Sequence, residues 1–208
     1  MTLRPALLTL ATAALMLPAC TQLLMAAAPP VTQDPTQVPA GAYKIEPYHT
    51  QVLFSVNHMG FSYFSGNFSN ASGTLTYAAK TPARMAVSVS VPVASVSTTS
   101  PRLTEELKES DWLDAARFPA MTFTSSRVVQ TGPGSADIEG ALTLHGVTKP
   151  ITLHATFVGA GVNILDHNET AGFRLTGHLK RSAFGVTKYV PLISDDVEIT
   201  INAAFEKV

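Results

Sequence analysis

The chain has 208 residues, of which 46% are hydrophobic and 14% are charged, and its formal net charge is −1. This length suits one all-β domain with a substantial core. A charge so close to zero, with no run of lysine or arginine, leaves no electrostatic footprint for nucleic acid. The charged fraction lies below the ~25% that is typical of soluble domains, so serine and threonine must supply much of the outward polarity.

The N-terminal residues have the pattern of a secretory signal. Arg4 gives a positive start, and residues 6–17 form an apolar run that is shorter than the ~20 residues needed to span a bilayer. The four residues ending at Cys20 resemble a bacterial lipobox, although Pro18 departs from it. We therefore expect a signal peptide over residues 1–19, with Cys20 acylated. Cleavage near residue 27, which discards Cys20, and a retained membrane anchor are the alternatives.

A proline-rich linker is expected over residues 20–41. Four prolines stand between residues 29 and 41, and such a composition favours an extended, semi-stiff spacer. The folded domain is then expected over residues 42–208.

From residue 43 onward, apolar residues alternate with polar ones, which is typical of half-buried strands. The first strand is predicted over 43–58 and the second over 61–77, with interruptions at Gly66 and Gly73. The third covers 84–97. Glycines inside a strand often mark bulges or bends, which closed barrels need.

A change of period after the third strand predicts a short helix. Ser100 can cap its N-terminus and Pro101 suits its first position. Five more strands follow, over 121–129, 136–145, 151–159, 171–180 and 197–206. Eight antiparallel strands with short connections predict an all-β, up-and-down barrel with one short helix between the third and fourth strands. A two-sheet sandwich is the alternative, but closure removes edges, and these strands carry few protective edge charges.

Catalytic and metal-binding motifs are absent from the sequence. There is no Gly-x-Ser-x-Gly elbow, phosphate-binding loop, dinucleotide motif or cysteine-based metal motif. The six histidines show no ligand spacing; His145 and His154 are predicted to point outward. We therefore predict no enzyme activity, no cofactor and no metal. A lipid-acting enzyme using His49 or His58 is the weakest alternative.

Several segments, in order, resemble the YceI-like polyisoprenoid-binding proteins: YKIEPYHTQVLFSVNH at 43–58, GNF at 66–68, DWLDAARFPAMTF at 111–123, LTLHGVTKP at 142–150 and RSAFGV at 181–186. The resemblance implies a lipocalin-like barrel exported to the periplasm. It implies binding of a long isoprenoid or similar amphiphile, of the quinone or polyprenyl phosphate class, in the barrel interior. A homodimer is a further expectation of this resemblance.

Alternation along the strands then selects the side chains that would line the interior and contact such a ligand. Two further residues, His58 and Trp112, are expected near an opening. The predicted lining consists of Val52, Phe54, Val56, Val87, Val89, Val91, Phe123, Leu142, Leu144, Leu153, Phe173, Leu175, Ile199 and Ile201. An envelope adaptor whose barrel is filled by its own side chains is the alternative function, since a filled core and a lined cavity use the same residue types.

Overall fold

A computed structural model describes residues 31–208, and most of these residues form β-strands. The predicted signal peptide, Cys20 and the first part of the linker lie outside the described residues. The elements are β1 (Gly41–His58), β2 (Ser62–Phe68), β3 (Ser72–Tyr77), β4 (Ala86–Pro92), β5 (Ser97–Thr98), α1 (Pro101–Glu106), β6 (Ala120–Gly132), β7 (Ser135–Leu144), β8 (Val147–Val162), β9 (Glu169–Lys180) and β10 (Ile193–Lys207).

These strands form a closed antiparallel barrel, as predicted. The neighbours run in the order β10-β9-β8-β7-β6-β4-β3-β1, and β10 pairs with β1 to close the ring. Strands β2 and β5 extend this ring, because β2 pairs with β1 and β5 with β2. The eight predicted strands are therefore confirmed, with the second divided into β2 and β3 and the third into β4 and β5.

The division of the second strand does not fall at either predicted glycine. It falls at residues 69–71, whereas Gly66 lies inside β2 and Gly73 inside β3. Gly66 instead makes room for an aromatic ring, because a Cβ atom there would lie 2.5 Å from Cζ of Phe54 on the paired strand. The glycine is needed for this close approach.

The barrel has two distinct ends, which its strand registers define. His58 pairs with Ile193 at one end, and Tyr43 pairs with Lys207 at the other. We call the first the mouth end; it carries the β1–β2 turn, α1 and the loop over residues 181–192. We call the second the base end; it carries the β3–β4, β6–β7 and β8–β9 connections.

The helix forms close to the predicted position. Pro101 begins it, and the Ser100 hydroxyl caps it by accepting a hydrogen bond from the Leu103 backbone N–H at 3.3 Å. Leu103 and Leu107 then face the barrel interior. The helix thus lies over the mouth end as part of the interior's boundary.

Part of the predicted linker packs on the barrel. We call residues 32–40 the strap. Thr32 exchanges backbone hydrogen bonds of 2.8 and 2.9 Å with Ala160, and Val38 is buried in the core. The Tyr43 hydroxyl donates to the Pro39 carbonyl at 2.7 Å, and the Tyr77 hydroxyl donates to the Pro35 carbonyl at 2.9 Å. Within the described residues, the packing on the barrel therefore extends back to Thr32, across the base end.

Candidate functional site

A single large cavity of about 860 Å³ runs through the inside of the barrel described over residues 31–208. Its lining reaches from His58 and Tyr189 at the mouth end to Pro35 and Ser135 at the base end. The volume lies in the upper part of the range of about 300–1,000 Å³ that is usual for ligand pockets. The barrel interior is therefore a lined space, and its own side chains do not fill it.

Strand alternation places the predicted side chains on this cavity. In β1, for example, Val52, Phe54 and Val56 face inward together with their partners across β2 and β10. All sixteen predicted residues line the cavity, including His58 and Trp112. Their contact with a ligand stays a prediction.

Other lining residues were absent from the predicted set. Phe205 continues the inward face of Ile199 and Ile201, and Phe157 continues that of Leu153, so alternation carried to the strand ends would have found both. Leu103 and the neighbouring helix residues had no such signal, because their position depends on how the helix folds over the mouth.

Aromatic side chains narrow the base end. The Phe173 ring lies 5.6 Å from the Phe157 ring, 6.0 Å from that of Phe205 and 6.1 Å from that of Tyr77. Tyr43 stacks edge-on against Tyr77 at 6.2 Å. Burial, aided by the negative charge of Glu169, raises the pKa of Tyr43 to about 12. The hydroxyls that hold the strap are thus neutral donors around pH 7.

Charged groups line the cavity only near the mouth. In the described part of the chain, the charged lining residues are Arg102, Glu106 and Arg181. Arg102 and Glu106 lie on α1, and Arg181 directly follows β9. The middle of the cavity has an uncharged wall, which suits an apolar chain, while the mouth can accommodate a polar group.

Arg181 is committed to the backbone and is not a free cation. Its guanidinium donates to the carbonyls of Ser194, Val186, Lys188 and Ile193 at 2.9–3.1 Å. Burial lowers the pKa of Arg181, and nearby Asp195 opposes that shift. The side chain thus holds together the loop over residues 181–192 at the mouth end.

Trp112 lies beneath an ion-paired group at the mouth. Its ring is buried, its Nε1–H donates to Glu106 Oε1 at 3.3 Å, and Lys188 Nζ lies 5.5 Å from the ring. Lys188 pairs with Asp111 at 2.5 Å and with Glu106 at 3.4 Å. The hydrogen bond between Lys188 and Asp111 raises the pKa of Lys188 and lowers that of Asp111. This cluster joins the loop to the helical segment, and Trp112 forms part of the wall beneath it.

Among the histidines, all of which fall within residues 31–208, only His58 lines the cavity. His154 is exposed and contacts Asp137 at 2.6 Å, and His49 contacts Glu46 at 2.6 Å on the outer wall. His145, which was predicted to point outward, lies outside the cavity lining, but it packs against other residues and is not fully exposed. Its ring is half-buried, 4.8 Å from that of Phe118 and with Nδ1 3.1 Å from the Phe184 carbonyl, because the β7–β8 turn packs against the mouth-end loop.

Within residues 31–208, no group of three or more histidine, cysteine, aspartate or glutamate side chains could hold a metal ion. Neither is any helix in that range long and apolar enough to cross a membrane.

The chain is similar to known proteins along most of the barrel. The YceI proteins of Salmonella arizonae and Salmonella heidelberg are each 37% identical over 165 residues, covering 78% of this chain and 85% of theirs. Among solved structures, a Campylobacter jejuni YceI protein matches with 28% identity and a TM-score of 0.65, covering 73% of this chain and 90% of that one.

More distant structures share the fold. Burkholderia cenocepacia BcnA matches with a TM-score of 0.70 and 23% identity, over 77% of this chain and 98% of that one. A polyisoprenoid binding domain from Saccharophagus degradans matches with a TM-score of 0.60 and 13% identity, over 82% of this chain and 100% of that one. The YceI-like domain model matches residues 43–205, and the chain therefore belongs to the YceI-like family.

Proposed function

We propose that this protein is a non-catalytic binding protein that holds one long isoprenoid or similar amphiphilic lipid inside its barrel. The observation that carries the proposal is the uncharged middle of a cavity of about 860 Å³. A fold neighbour, the domain from Saccharophagus degradans, is named for polyisoprenoid binding. Quinones and polyprenyl phosphates are the expected ligand classes.

The shape of the cavity favours a chain over a compact ligand. At about 3.4 Å per residue, the lining stretch from Val197 to Phe205 alone extends about 27 Å along β10. A volume of about 860 Å³ spread over such a length describes a narrow tunnel. Each buried methylene contributes roughly 0.8 kcal/mol, so affinity should rise with tail length, although ordering the chain offsets part of the gain.

The adaptor with a filled barrel is the less favoured function. It requires that side chains occupy the interior, whereas the aromatic residues at the base end leave the rest of the cavity open. In the lipid-binding protein proposed above, the polar side chains at the mouth end would face the headgroup of the ligand, and the charged side chains among them are Arg102 and Glu106.

Extraction of the purified protein tests the proposal directly. Organic extraction followed by mass spectrometry is expected to release an isoprenoid or comparable lipid. A protein that is lipid-free as purified and that fails to take up a long-tailed quinone would contradict the proposal.

A matched pair of variants tests whether the cavity is the binding site. Val89 faces inward from β4, and its neighbour Ser88 is exposed on the outer wall. Val89→Phe should place a ring in the cavity and lower the affinity for a long-tailed quinone at least tenfold, because the ring would occupy space in which methylene groups of the quinone tail are otherwise buried. Ser88→Phe should leave it unchanged. Fluorescence titration measures both, and equal affinities would locate the ligand elsewhere.

We also infer export to the periplasm, with Cys20 acylated. The support is the apolar N-terminal run and the lipobox-like residues before Cys20. The intact mass of the native membrane fraction should show diacylglycerol on Cys20 and loss of residues 1–19. A chain that starts near residue 28 would contradict acylation.

A further inference from the structure

Five large apolar side chains lie exposed together at the mouth end: Met59, Phe61, Tyr63, Tyr189 and Leu192. We call them the rim patch. Their exposed fractions run from 48% for Met59 to 85% for Phe61. Scattered single apolar residues on a surface need no explanation, but a contiguous patch usually marks an interaction site.

The rim patch is continuous across two chain segments. The Met59 backbone N–H donates to the Leu192 carbonyl at 2.9 Å, and the Ile193 N–H donates to the Tyr189 carbonyl at 2.9 Å. The β1–β2 turn and the loop before β10 thus lie side by side.

The patch also adjoins the cavity. Tyr189 belongs to both, and His58, Ser62 and Ile193, which are chain neighbours of the patch residues, line the cavity. A surface that covered the rim patch would lie directly beside the mouth.

The two segments that form the rim patch, residues 57–66 and residues 189–194, contain no Asp, Glu, Lys or Arg. The neighbouring cation, Lys188, is already paired with Asp111 and Glu106. The acidic residues of the mouth end lie on and after α1 and at the start of β10, where Asp195 accepts hydrogen bonds from Ser182 and Asp196 pairs with Lys180. The rim patch is therefore apolar and without net charge, and its partner needs no complementary charge.

The backbone of the β1–β2 turn is already hydrogen-bonded within the protein. Besides the bond from Met59, the Gly60 N–H donates to Asn57 Oδ1 at 2.7 Å and the Phe61 N–H to the His58 carbonyl at 3.0 Å. These donors would remain satisfied if the turn left water, which is the condition for entering an apolar medium.

We propose that the rim patch docks the barrel onto a phospholipid bilayer, with the mouth facing the acyl chains. Tyrosines at the patch edge suit the headgroup level, where aromatic residues with a polar tip are enriched, and Phe61 and Leu192 enter below it. A long lipid then passes between bilayer and barrel without crossing water. This inference rests on the proposed function, because it names the surface from which the ligand is loaded.

A double variant with a matched control tests the docking. Phe61 and Leu192, exposed by 85% and 59%, lie outside the cavity lining, and at the base end Leu165 and Val158 are exposed by 80% and 59%. With phosphatidylcholine vesicles, Phe61→Ser/Leu192→Ser should reduce partitioning at least tenfold, whereas Val158→Ser/Leu165→Ser should leave it unchanged. Added salt should have little effect, because the rim patch itself contains no charged residue. Equal partitioning of the two double variants would overturn the proposal.

A local probe separates docking by the patch from any contribution of the N-terminal residues. The tryptophan fluorescence of Phe61→Trp should be quenched by brominated phosphatidylcholine vesicles, and that of Leu165→Trp should not, each compared with the parent chain that contains Trp112. Quenching at position 165 alone, or at neither position, would overturn the proposal. So would a patch variant that changed only the oligomeric state, since a second copy would then be the partner.

Ligand uptake by two routes distinguishes this proposal from the proposed function. The Phe61→Ser/Leu192→Ser variant should take up a long-tailed quinone from vesicles at least tenfold more slowly, yet bind the same quinone normally when it is added from ethanol. Equal uptake rates from vesicles would contradict docking. If neither the parent chain nor the variant binds the quinone by either route, the proposed function is wrong. The vesicle-partitioning and tryptophan-quenching measurements would still test the docking.

Discussion

Arg181 is a charged side chain with only 5% of its surface exposed, and its guanidinium is surrounded by backbone carbonyls from the loop that follows it and from the start of β10. A buried charge is tolerable only when hydrogen bonds replace its water. Here the carbonyls provide that replacement, and they in turn would lose their donors if Arg181 were shortened. The residue is therefore a structural support for the mouth.

Removal of this guanidinium should destabilise the protein. Arg181→Gln should lower the free energy of unfolding by about 2–4 kcal/mol, because one buried and three part-buried backbone carbonyls would lose a donor. Arg174→Gln, at an exposed position on β9, the strand that ends just before Arg181, is the control and should change the free energy of unfolding by less than about 0.5 kcal/mol. Urea denaturation followed by circular dichroism measures both. Equal effects would mean that the Arg181 hydrogen bonds add no stability.

Asp195 gives this region a dependence on acid. Burial alone would raise its pKa, but hydrogen bonds from the Ser182 backbone N–H at 2.8 Å and hydroxyl at 2.7 Å, with Lys180 and Arg181 nearby, hold the pKa of Asp195 below its usual value. A lowered pKa contributes stability above the unfolded-state value, and that stability is lost as the pH falls through the folded-state value.

The free energy of unfolding should therefore decline below about pH 4, and Asp195→Asn should make that decline shallower. Denaturant titrations at successive pH values measure the slope. An unchanged slope in the variant would assign the acid sensitivity to other carboxyl groups.

At the scale of elements, the strap is held to the base end by few interactions besides the burial of Val38. The Tyr77 hydroxyl joins it to β3, and the backbone pair between Thr32 and Ala160 joins it to β8. Such a segment can open locally without unfolding of the barrel.

Tyr77→Phe should weaken the strap specifically. The substitution removes the part-buried hydrogen bond from the Tyr77 hydroxyl to the Pro35 carbonyl, so the free energy of unfolding should fall by about 1 kcal/mol. The backbone amides of Thr32 and Ala160 should also exchange hydrogen faster. Tyr48→Phe, at an exposed tyrosine on the outer wall, should change neither. Hydrogen-exchange mass spectrometry resolves the two, and unaltered exchange in Tyr77→Phe would show that the hydroxyl does not hold the strap.

At the scale of the molecule, alternation in the sequence was sufficient to predict the strands and their inward faces. Val52, Phe54 and Val56 could be assigned because a period of two depends only on the pleat. The break at residues 69–71 and the packing of the strap could not, since both depend on contacts between segments far apart in sequence. The buried position of Trp112 likewise requires Lys188 and Glu106, which alternation cannot bring together.

The pairing of β1 with β10 has a consequence for how the barrel is made. Its seam joins Tyr43 to Lys207, so the ring cannot close until the last strand has been synthesised. Until then, the inward apolar face of every earlier strand is open to water, and two unpaired edges are available to other chains. Contacts of such high sequence separation also form slowly. The folding chain is thus most vulnerable to aggregation before β10 has paired with β1, and a chaperone that protects it must cover an open, incomplete barrel.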